Sequence, residues 1–278
     1  MQIAVILPAA GVGKRFGAAE LGRSKIETDL AGRAMLLRAI EPRRSRADVC
    51  RIILAVNPDT IDEFKFRHGD QLGLLGVTLV AGGRAERWET VMLALDAVGP
   101  EATHIAVHDA ARPLTSRKLV DRVFEAARKL DAVIPGQPVS ATLKRTAMAD
   151  EVDLNADDPA AAILGADHAA PRARRVTQTV DRTDVVEVQT PQVFEVNLLR
   201  SAYARLRDGT LSADGITDDA GLIEALGKPV YVVEGEPTNL KITRPEDMPL
   251  AEAIVQSATK DDKALLARKR LFGDDDED

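Results

Sequence analysis

The order of apolar segments predicts an α/β protein: a doubly wound, mainly parallel sheet with a β-arm protruding from it. Three observations carry that expectation. Short apolar runs alternate with helix-like ones through the first half of the chain, the pattern of strands packed between two layers of helices. The first apolar run ends in Pro8-Ala9-Ala10-Gly11-Val12-Gly13-Lys14-Arg15, where backbone amides and two cations are offered together at a strand's end. Between Pro138 and Phe194 the alternation breaks into β-branched, partly alternating segments that suit antiparallel ribbons.

Taken in order, the periodicity predicts a strand over Ile3 to Leu7, a helix over Met35 to Ser45, a strand over Arg51 to Val56 and a helix around Ile61 to Arg67. Next come a strand over Val77 to Ala81, a helix from Glu89 to Val98, a strand over His104 to His108, a helix from Ser116 to Leu130 and a strand over Ala132 to Pro135. The ribbons are expected over Val139 to Thr146, Val176 to Val180 and Val185 to Val188, as parts of an arm at about 138–190. Ala149 to Arg175, rich in Ala, Asp, Pro and Arg, reads as a loose insertion within the arm, with a solvated His168. Helices return near Asn197 to Arg207 and Asp218 to Leu226, followed by a strand over Val230 to Glu234. Thr243-Arg244-Pro245-Glu246 reads as a capping box opening a helix to about Ser257. One domain over 1–260 and a charged acidic tail over 261–278 complete the expectation.

Two familiar glycine loops are excluded by spacing. A P-loop needs a glycine five residues before Gly-Lys and a hydroxyl after it, but Pro8 precedes Gly13-Lys14 and Arg15 follows. The dinucleotide fingerprint fails because Phe16 stands where its third glycine belongs. What remains is a loop of small residues, Ala9, Ala10, Gly11 and Gly13, that lets a flat base and a triphosphate approach the backbone, with Lys14 and Arg15 behind it. Ligands of such sheets sit beyond the carboxyl ends of the strands. Gly82 to Thr90 and His108 to Pro113 follow two further strands, so three strand ends converge on one polar site.

Composition narrows the partners. With 45% hydrophobic residues the chain can fill a real core, whereas 3% aromatics argues against base-stacking platforms for single-stranded nucleic acid. The net charge is −7, yet ten of the 44 acidic residues fall in two clusters, Asp150 to Asp158 and Asp274 to Asp278. The other 34 face 37 Lys and Arg, so the body is slightly cationic. That suits a small anionic substrate, and no clustered basic face for duplex nucleic acid is visible. The single cysteine, Cys50, reads as buried and inert. No leader or membrane-length apolar run is evident, so a reducing cytoplasm without a membrane partner is expected.

The succession Pro8-Ala9-Ala10-Gly11-x-Gly13-x-Arg15, Lys25, Gly82-Gly83, His108 to Pro113, Pro138-Val139-x-x-Thr142-x-Lys144, Thr179 to Arg182, Thr190-Pro191-Gln192 and Asn239-x-Lys241-x-Thr243 to Asp247 resembles the 2-C-methyl-D-erythritol 4-phosphate cytidylyltransferases. The resemblance runs from Ile3 to about Ile254 and implies a Rossmann-like nucleotidyltransferase that joins CMP from CTP to methylerythritol phosphate, releasing pyrophosphate, in non-mevalonate isoprenoid biosynthesis. It implies that Arg15, Lys25 and Lys241 surround the triphosphate and its transition state. It implies also that Ala9, Ala10, Gly11, Gly13, Gly83 and Thr90 shape the nucleotide pocket. Asp109 is implied near the acceptor and as the ligand of a Mg²⁺ cofactor, with Arg112 and Thr190 as its neighbours on the acceptor side. Thr142 and Arg182 are implied to reach the partner's site in a homodimer, Arg182 gripping the acceptor phosphate.

Plainer readings accompany these: Asp109 with Arg112 as a surface ion pair, Arg182 paired with Asp181, His108 ordering its loop, and Trp88 as packing. The chain departs from the family in having Ser24-Lys25 for the usual Pro-Lys, a longer loop between Arg15 and Lys25, one extra residue between Gly83 and Arg87, and Ala141 where the arm usually carries Asp. Two alternatives stay open: a cytidylyltransferase for another polyol phosphate such as ribitol 5-phosphate, and a nucleotide-binding regulator without turnover.

Overall fold

A computed structural model describes residues 1–11, 16, 24–153 and 172–258, without the side chains of 148–151 and 153. Gly13, Arg15, most of the expected insertion and the acidic tail therefore lie outside the described residues. The chain divides into two units, one formed by 1–136 with 188–278 and the other by 137–187.

The first unit is built outward from β1 (Ile3–Ala9). After a 3₁₀ turn at Lys25–Glu27 come a small hairpin, β2 (Asp29–Leu30) with β3 (Arg33–Ala34), and then α1 (Met35–Arg44). The hairpin turns through Ala31 and Gly32, both at positive φ, and Asp29 Oδ1 accepts the Gly32 amide at 2.8 Å. There follow β4 (Val49–Val56), α2 (Ile61–Leu74), β5 (Val77–Ala81), α3 (Arg87–Ala94), β6 (His104–Val107), α4 (Arg117–Ala127) and β7 (Ala132–Pro138).

β1 pairs in parallel with β4 on one side and β6 on the other, and β4 pairs in parallel with β5. The chain thus runs outward from β1 to β5 and returns to β6, which places a topological switch at the carboxyl ends of β1 and β6. Alternate residues of β1 serve the two faces: Ile3, Val5 and Leu7 pack with Leu36, Phe64 and Phe124, while Ala4 and Ile6 pack with Val91, Leu199 and Tyr203. Helices cover both faces, so the central strands are apolar throughout.

The second unit contains the ribbon β8 (Leu143–Asp153) with β9 (Arg172–Val180), antiparallel and irregular around Thr146. It takes in 149–153 and 172–175, which are strand here and not part of a loose insertion. The pairing is carried by backbone hydrogen bonds, which a stretch of Ala, Asp, Glu and Arg with the single Val152 can make without a clean alternation. β10 (Val186–Val188) closes this part of the chain. In the first unit β11 (Gln192–Glu195) then runs antiparallel between β6 and β7, which makes the sheet mixed but mainly parallel. α5 (Val196–Arg207), α6 (Asp219–Ala225), β12 (Tyr231–Glu234, parallel to β7) and helical residues 248–258 follow.

Two local expectations are corrected. α2 continues past Arg67 to Leu74, because Phe64 and Leu72 both enter the core and hold the helix through Gly69. The capping box of the last helix is shifted by one residue: Asp247, not Glu246, accepts the amides of Thr243 and Arg244 at 2.7 and 2.9 Å, with Pro245 in the first turn.

Candidate active site

At the switch, β1 runs out into Pro8, Ala9, Ala10 and Gly11, and the segment 82–90 approaches from the carboxyl end of β5. A methyl group on Gly82 would lie 2.7 Å from Ala10 Cβ and 2.8 Å from Thr90 Cγ2, so a glycine is required for the two segments to meet. The Gly83 amide donates to Thr90 Oγ1 at 3.1 Å, which ties the loop to the first turn of α3. Glu89 reaches back to accept the amides of Ala85 and Glu86, in the manner of a capping box. These contacts build one wall of a cavity of about 460 Å³.

The opposite wall carries charge. Asp109, the second residue after β6, is 8% exposed and faces three cations. Lys241 Nζ lies 2.7 Å from Oδ2, Arg87 Nε 3.3 Å from Oδ1 and Arg112 Nε 3.9 Å from Oδ2. Burial alone would raise the carboxyl pKa, but Arg87, Lys241 and Arg112 outweigh it and hold the group ionised far below the usual carboxylate range. Lys25 comes in from the 3₁₀ turn, its ammonium donating to the Ile242 carbonyl at 2.8 Å. Lys25, Arg84, Arg87 and Lys241 thus line the cavity against the carboxylates of Glu86 and Asp109, and its balance favours an anion.

Asp109 is fixed from behind. Its amide donates to Thr190 Oγ1 at 3.1 Å, and that hydroxyl also meets His108 Nδ1 at 2.9 Å. His108 is fully buried with Nε2 3.1 Å from the Arg112 carbonyl, and burial, aided by Arg43, pushes its pKa well below the ordinary value. A neutral imidazole with both nitrogens engaged orders this loop, as its plainer reading had it. Asn239, equally buried, donates to the Thr190 carbonyl at 2.9 Å and accepts from Thr115 at 2.8 Å, while its own carbonyl accepts Arg112 Nη1 at 2.7 Å. Two residues later the chain presents Lys241.

Of the sequence-predicted residues, the structure brings Ala9, Ala10, Gly11, Lys25, Gly83, Thr90, Asp109 and Lys241 to one cavity. Arg112 and Thr190 are not among the residues lining this cavity and contact Asp109 from behind it; Arg112 is 6% exposed, with Nη1 and Nη2 donating to the Asn239 and Val188 carbonyls. Thr142 and Arg182 belong to the second unit and are exposed there. Arg182 donates to the Ser140 carbonyl, while Asp181, its suggested partner, accepts from Thr183. Arg15 and Gly13 lie outside the described residues. Sequence reasoning missed Arg87 and its second partner, Asp219, 132 residues away. In sequence Arg87 is one of four charged residues between Gly82 and Thr90, and nothing there sets it apart from Arg84, Glu86 or Glu89. It missed Asn239 as a hub as well, visible in sequence only as the first letter of Asn-x-Lys.

Among the described residues no three His, Cys, Asp or Glu side chains are grouped to hold a metal, so no cation cage is built from protein alone. Among them, too, no helix is long and apolar enough to cross a membrane.

Comparison with known proteins gives a consistent answer. The family model for IspD, 2-C-methyl-D-erythritol 4-phosphate cytidylyltransferase, matches residues 3–161 and 147–257. The cytidylyltransferase of that name from Frankia casuarinae is 39% identical over 269 residues, which is 96% of this chain and 86% of the relative. The one from Rhodococcus jostii is 40% identical over 256 residues, covering 91% and 95%. Among solved structures, the 2-C-methyl-D-erythritol 4-phosphate cytidylyltransferase of Thermus thermophilus superposes with a TM-score of 0.65 at 33% identity, over 92% of this chain and all of the other. The 4-diphosphocytidyl-2C-methyl-D-erythritol synthase of Anaerococcus prevotii gives 0.69 at 27% identity, over 92% and 96%.

Proposed function

This chain belongs to the 2-C-methyl-D-erythritol 4-phosphate cytidylyltransferase family, and from that premise we infer how its own residues divide the work. The enzyme transfers CMP from CTP to methylerythritol phosphate: an anionic phosphate oxygen of the acceptor bonds to the α-phosphorus, and the bond to the departing pyrophosphate breaks. The nucleophile arrives with the substrate, so no activated side chain is needed and catalysis is positioning plus neutralisation of charge.

In our reading the small-residue wall takes the nucleotide. Ala9, Ala10 and Gly11 let the base and ribose approach the backbone, while Gly83 and Thr90 close the other side. Lys25, held on the Ile242 carbonyl, and Lys241, held on Asp109, neutralise the triphosphate and the charge that builds at the α-phosphorus; Arg15 is the third cation in this role. Asp109 orients the acceptor hydroxyls, with Arg112, Thr190 and His108 as its supports. The observation that carries this reading is the convergence of Lys25, Lys241 and Asp109 on one cavity from 3₁₀ turn, loop and strand end.

Mg²⁺ is the cofactor we propose. An ion that keeps one or two carboxylates and takes its other ligands from substrate phosphates suits a pocket with Asp109 and no protein cage among the described residues. When bound beside Asp109 it would shield the charge of the substrate phosphates. We also propose a cytoplasmic homodimer in which Thr142 and Arg182 of one subunit serve the other's site. Mixing an Arg182→Ala chain with a Lys25→Ala chain then restores part of the activity through hybrid sites, and no recovery in verified heterodimers refutes the sharing.

The direct test is pyrophosphate release by the purified protein with CTP and Mg²⁺, comparing methylerythritol phosphate with ribitol 5-phosphate and using ATP as a control. Release confined to CTP with methylerythritol phosphate is expected, and preference for ribitol phosphate would overturn the acceptor. Nucleotide binding without release would point to a regulator.

A further inference from the structure

Behind Asp109 runs a row of side chains that the reaction as described does not use. Arg87 stands between two carboxylates: its Nε is 3.3 Å from Asp109 Oδ1 and its Nη1 is 2.6 Å from Asp219 Oδ2. Asp219 has no exposed surface, and its other oxygen accepts the hydroxyl of Tyr203 at 2.5 Å, a side chain that is itself buried. Burial first, then the Asp219 charge, pushes the Tyr203 pKa well up, so this phenol keeps its proton and remains a donor. The neighbouring Asp218 is committed elsewhere, capping α6 at the Gly221 amide (3.0 Å) and accepting Gln192 Nε2 (2.6 Å). Of the two adjacent acids, the buried one is therefore the one that holds Arg87.

This arrangement settles a competition. Arg87 lines a cavity made for an anion, and a mobile guanidinium beside a triphosphate would bind it in bidentate fashion. A buried carboxylate 2.6 Å away, itself pinned by a hydroxyl from α5, opposes that. We propose that Tyr203, Asp219 and Arg87 form a positioning chain which keeps the Arg87 guanidinium on Asp109, so that it orients this carboxylate instead of joining the substrate phosphates. The chain spans α5, the start of α6 and the start of α3, and ends on the strand end of β6. With Lys241 on Oδ2 and Arg87 on Oδ1, both oxygens of Asp109 are fixed. The proposal rests on the reading of Asp109 as the acceptor-orienting group.

Steady-state kinetics on the full-length enzyme test it. Asp219→Asn keeps the volume and removes the charge that restrains Arg87. It is expected to lower kcat by about 10- to 100-fold, as loss of an outer supporting group commonly does, while KM for CTP stays level or falls because Arg87 is released toward the phosphates. Tyr203→Phe removes one hydrogen bond and should move both parameters the same way by a smaller factor. In an Asp109→Asn background the Asp219→Asn change should have almost no further effect, since the two act through one group. If that background leaves no measurable rate, the ¹⁵N-edited resonance of the Arg87 Nε–H is followed instead; it should exchange with water faster in Asp219→Asn and in Tyr203→Phe than in the parent. A rise in KM for CTP alongside the fall in kcat, additive losses in the double variant, or unchanged exchange of that proton would each overturn the proposal. An inert parent enzyme with CTP and methylerythritol phosphate would instead defeat the functional reading beneath it.

Discussion

Two arginines of the same unit, Arg87 partly buried and Arg43 fully so, are treated in opposite ways. Arg87 has a carboxylate on each side and, although burial works against its charge, Asp219 and then Asp109 raise its pKa above that of a free guanidinium. Arg43, on the inner face of α1, has no exposed surface and donates only Nη1, to the Ala39 carbonyl; its Nε and Nη2 have no hydrogen-bond partner among the described residues. Burial, with a smaller push from Arg46, drives its pKa down to about 9. The difference teaches where this fold compensates buried charge: at the strand ends, where loops deliver counter-ions, and not on the inner face of α1, where no carboxylate among the described residues pairs with Arg43.

The largest effects should come from the cations at the strand ends. Lys25→Ala and Lys241→Ala are each expected to lower kcat by about 10²- to 10³-fold, the usual loss for a group acting on transition-state charge. Lys241 is 41% exposed and Asp109 keeps Arg87 beside it, so the melting temperature of Lys241→Ala should move little. A large drop in melting temperature with a modest loss of rate would mean that these lysines serve the fold, and the contrast with Arg43 would dissolve.

Next in size is the conversion of Arg87 into a second Arg43. Asp219→Ala strands the guanidinium, and breaking a buried pair on one side costs about 3–5 kcal/mol. Urea denaturation reads this directly. A loss below about 1 kcal/mol, the level of an exposed pair, would show that solvent in the cavity already screens Arg87 and that the two arginines differ less than their partners suggest.

Much of this contrast was legible from sequence on one side only. The strands β1, β4, β5 and β6 announce themselves by dense apolar runs, and polar residues following such runs, Asp109 above all, can only lie at strand ends. The partners could not be read. Nothing local links Arg87 with Asp219, or His108 with Thr190, because these pairs exist only once α3, α6 and β11 have been folded around the switch. Arg112 illustrates the limit: its sequence position three residues after Asp109 is plain, but its burial depends on Asn239 and Val188 arriving from the far end of the chain. Arg43 was wholly invisible. In Glu41-Pro42-Arg43-Arg44 it resembles a solvated helix end, and only the phase of α1 turns it inward.

A smaller gain is expected from removing it. Arg43→Leu replaces a guanidinium lacking two partners by an apolar group facing the same core, and such replacements of buried ions often stabilise by about 1–4 kcal/mol. The melting temperature should rise without loss of turnover. A fall would mean that the Arg43 contact with the Ala39 carbonyl, or its field at His108, contributes more than burial costs.

The finest test uses a third buried charge that sides with Arg87. Glu27 follows Lys25 by two residues and is almost fully enclosed. One oxygen meets His68 Nε2 at 2.8 Å and Arg67 Nε at 3.0 Å, and the other accepts the Ser24 amide at 2.6 Å. Burial would raise its pKa, yet His68, the Ser24 amide and Arg67 together bring it below the ordinary glutamate value. For an acid depressed in the folded state, the stabilisation is present above the unfolded pKa and is lost as pH falls through the folded one. Glu27→Gln should therefore be less stable than the parent by about 1 kcal/mol near pH 7, the scale of hydrogen bonds to a charged group, and the gap should close as the pH is lowered from about 5 to 3. Melting curves across that range decide it. A gap that persists at pH 3 would assign the effect of Glu27 to packing, and would leave the Asp109 corner as the place in the unit where charge itself is what the fold holds.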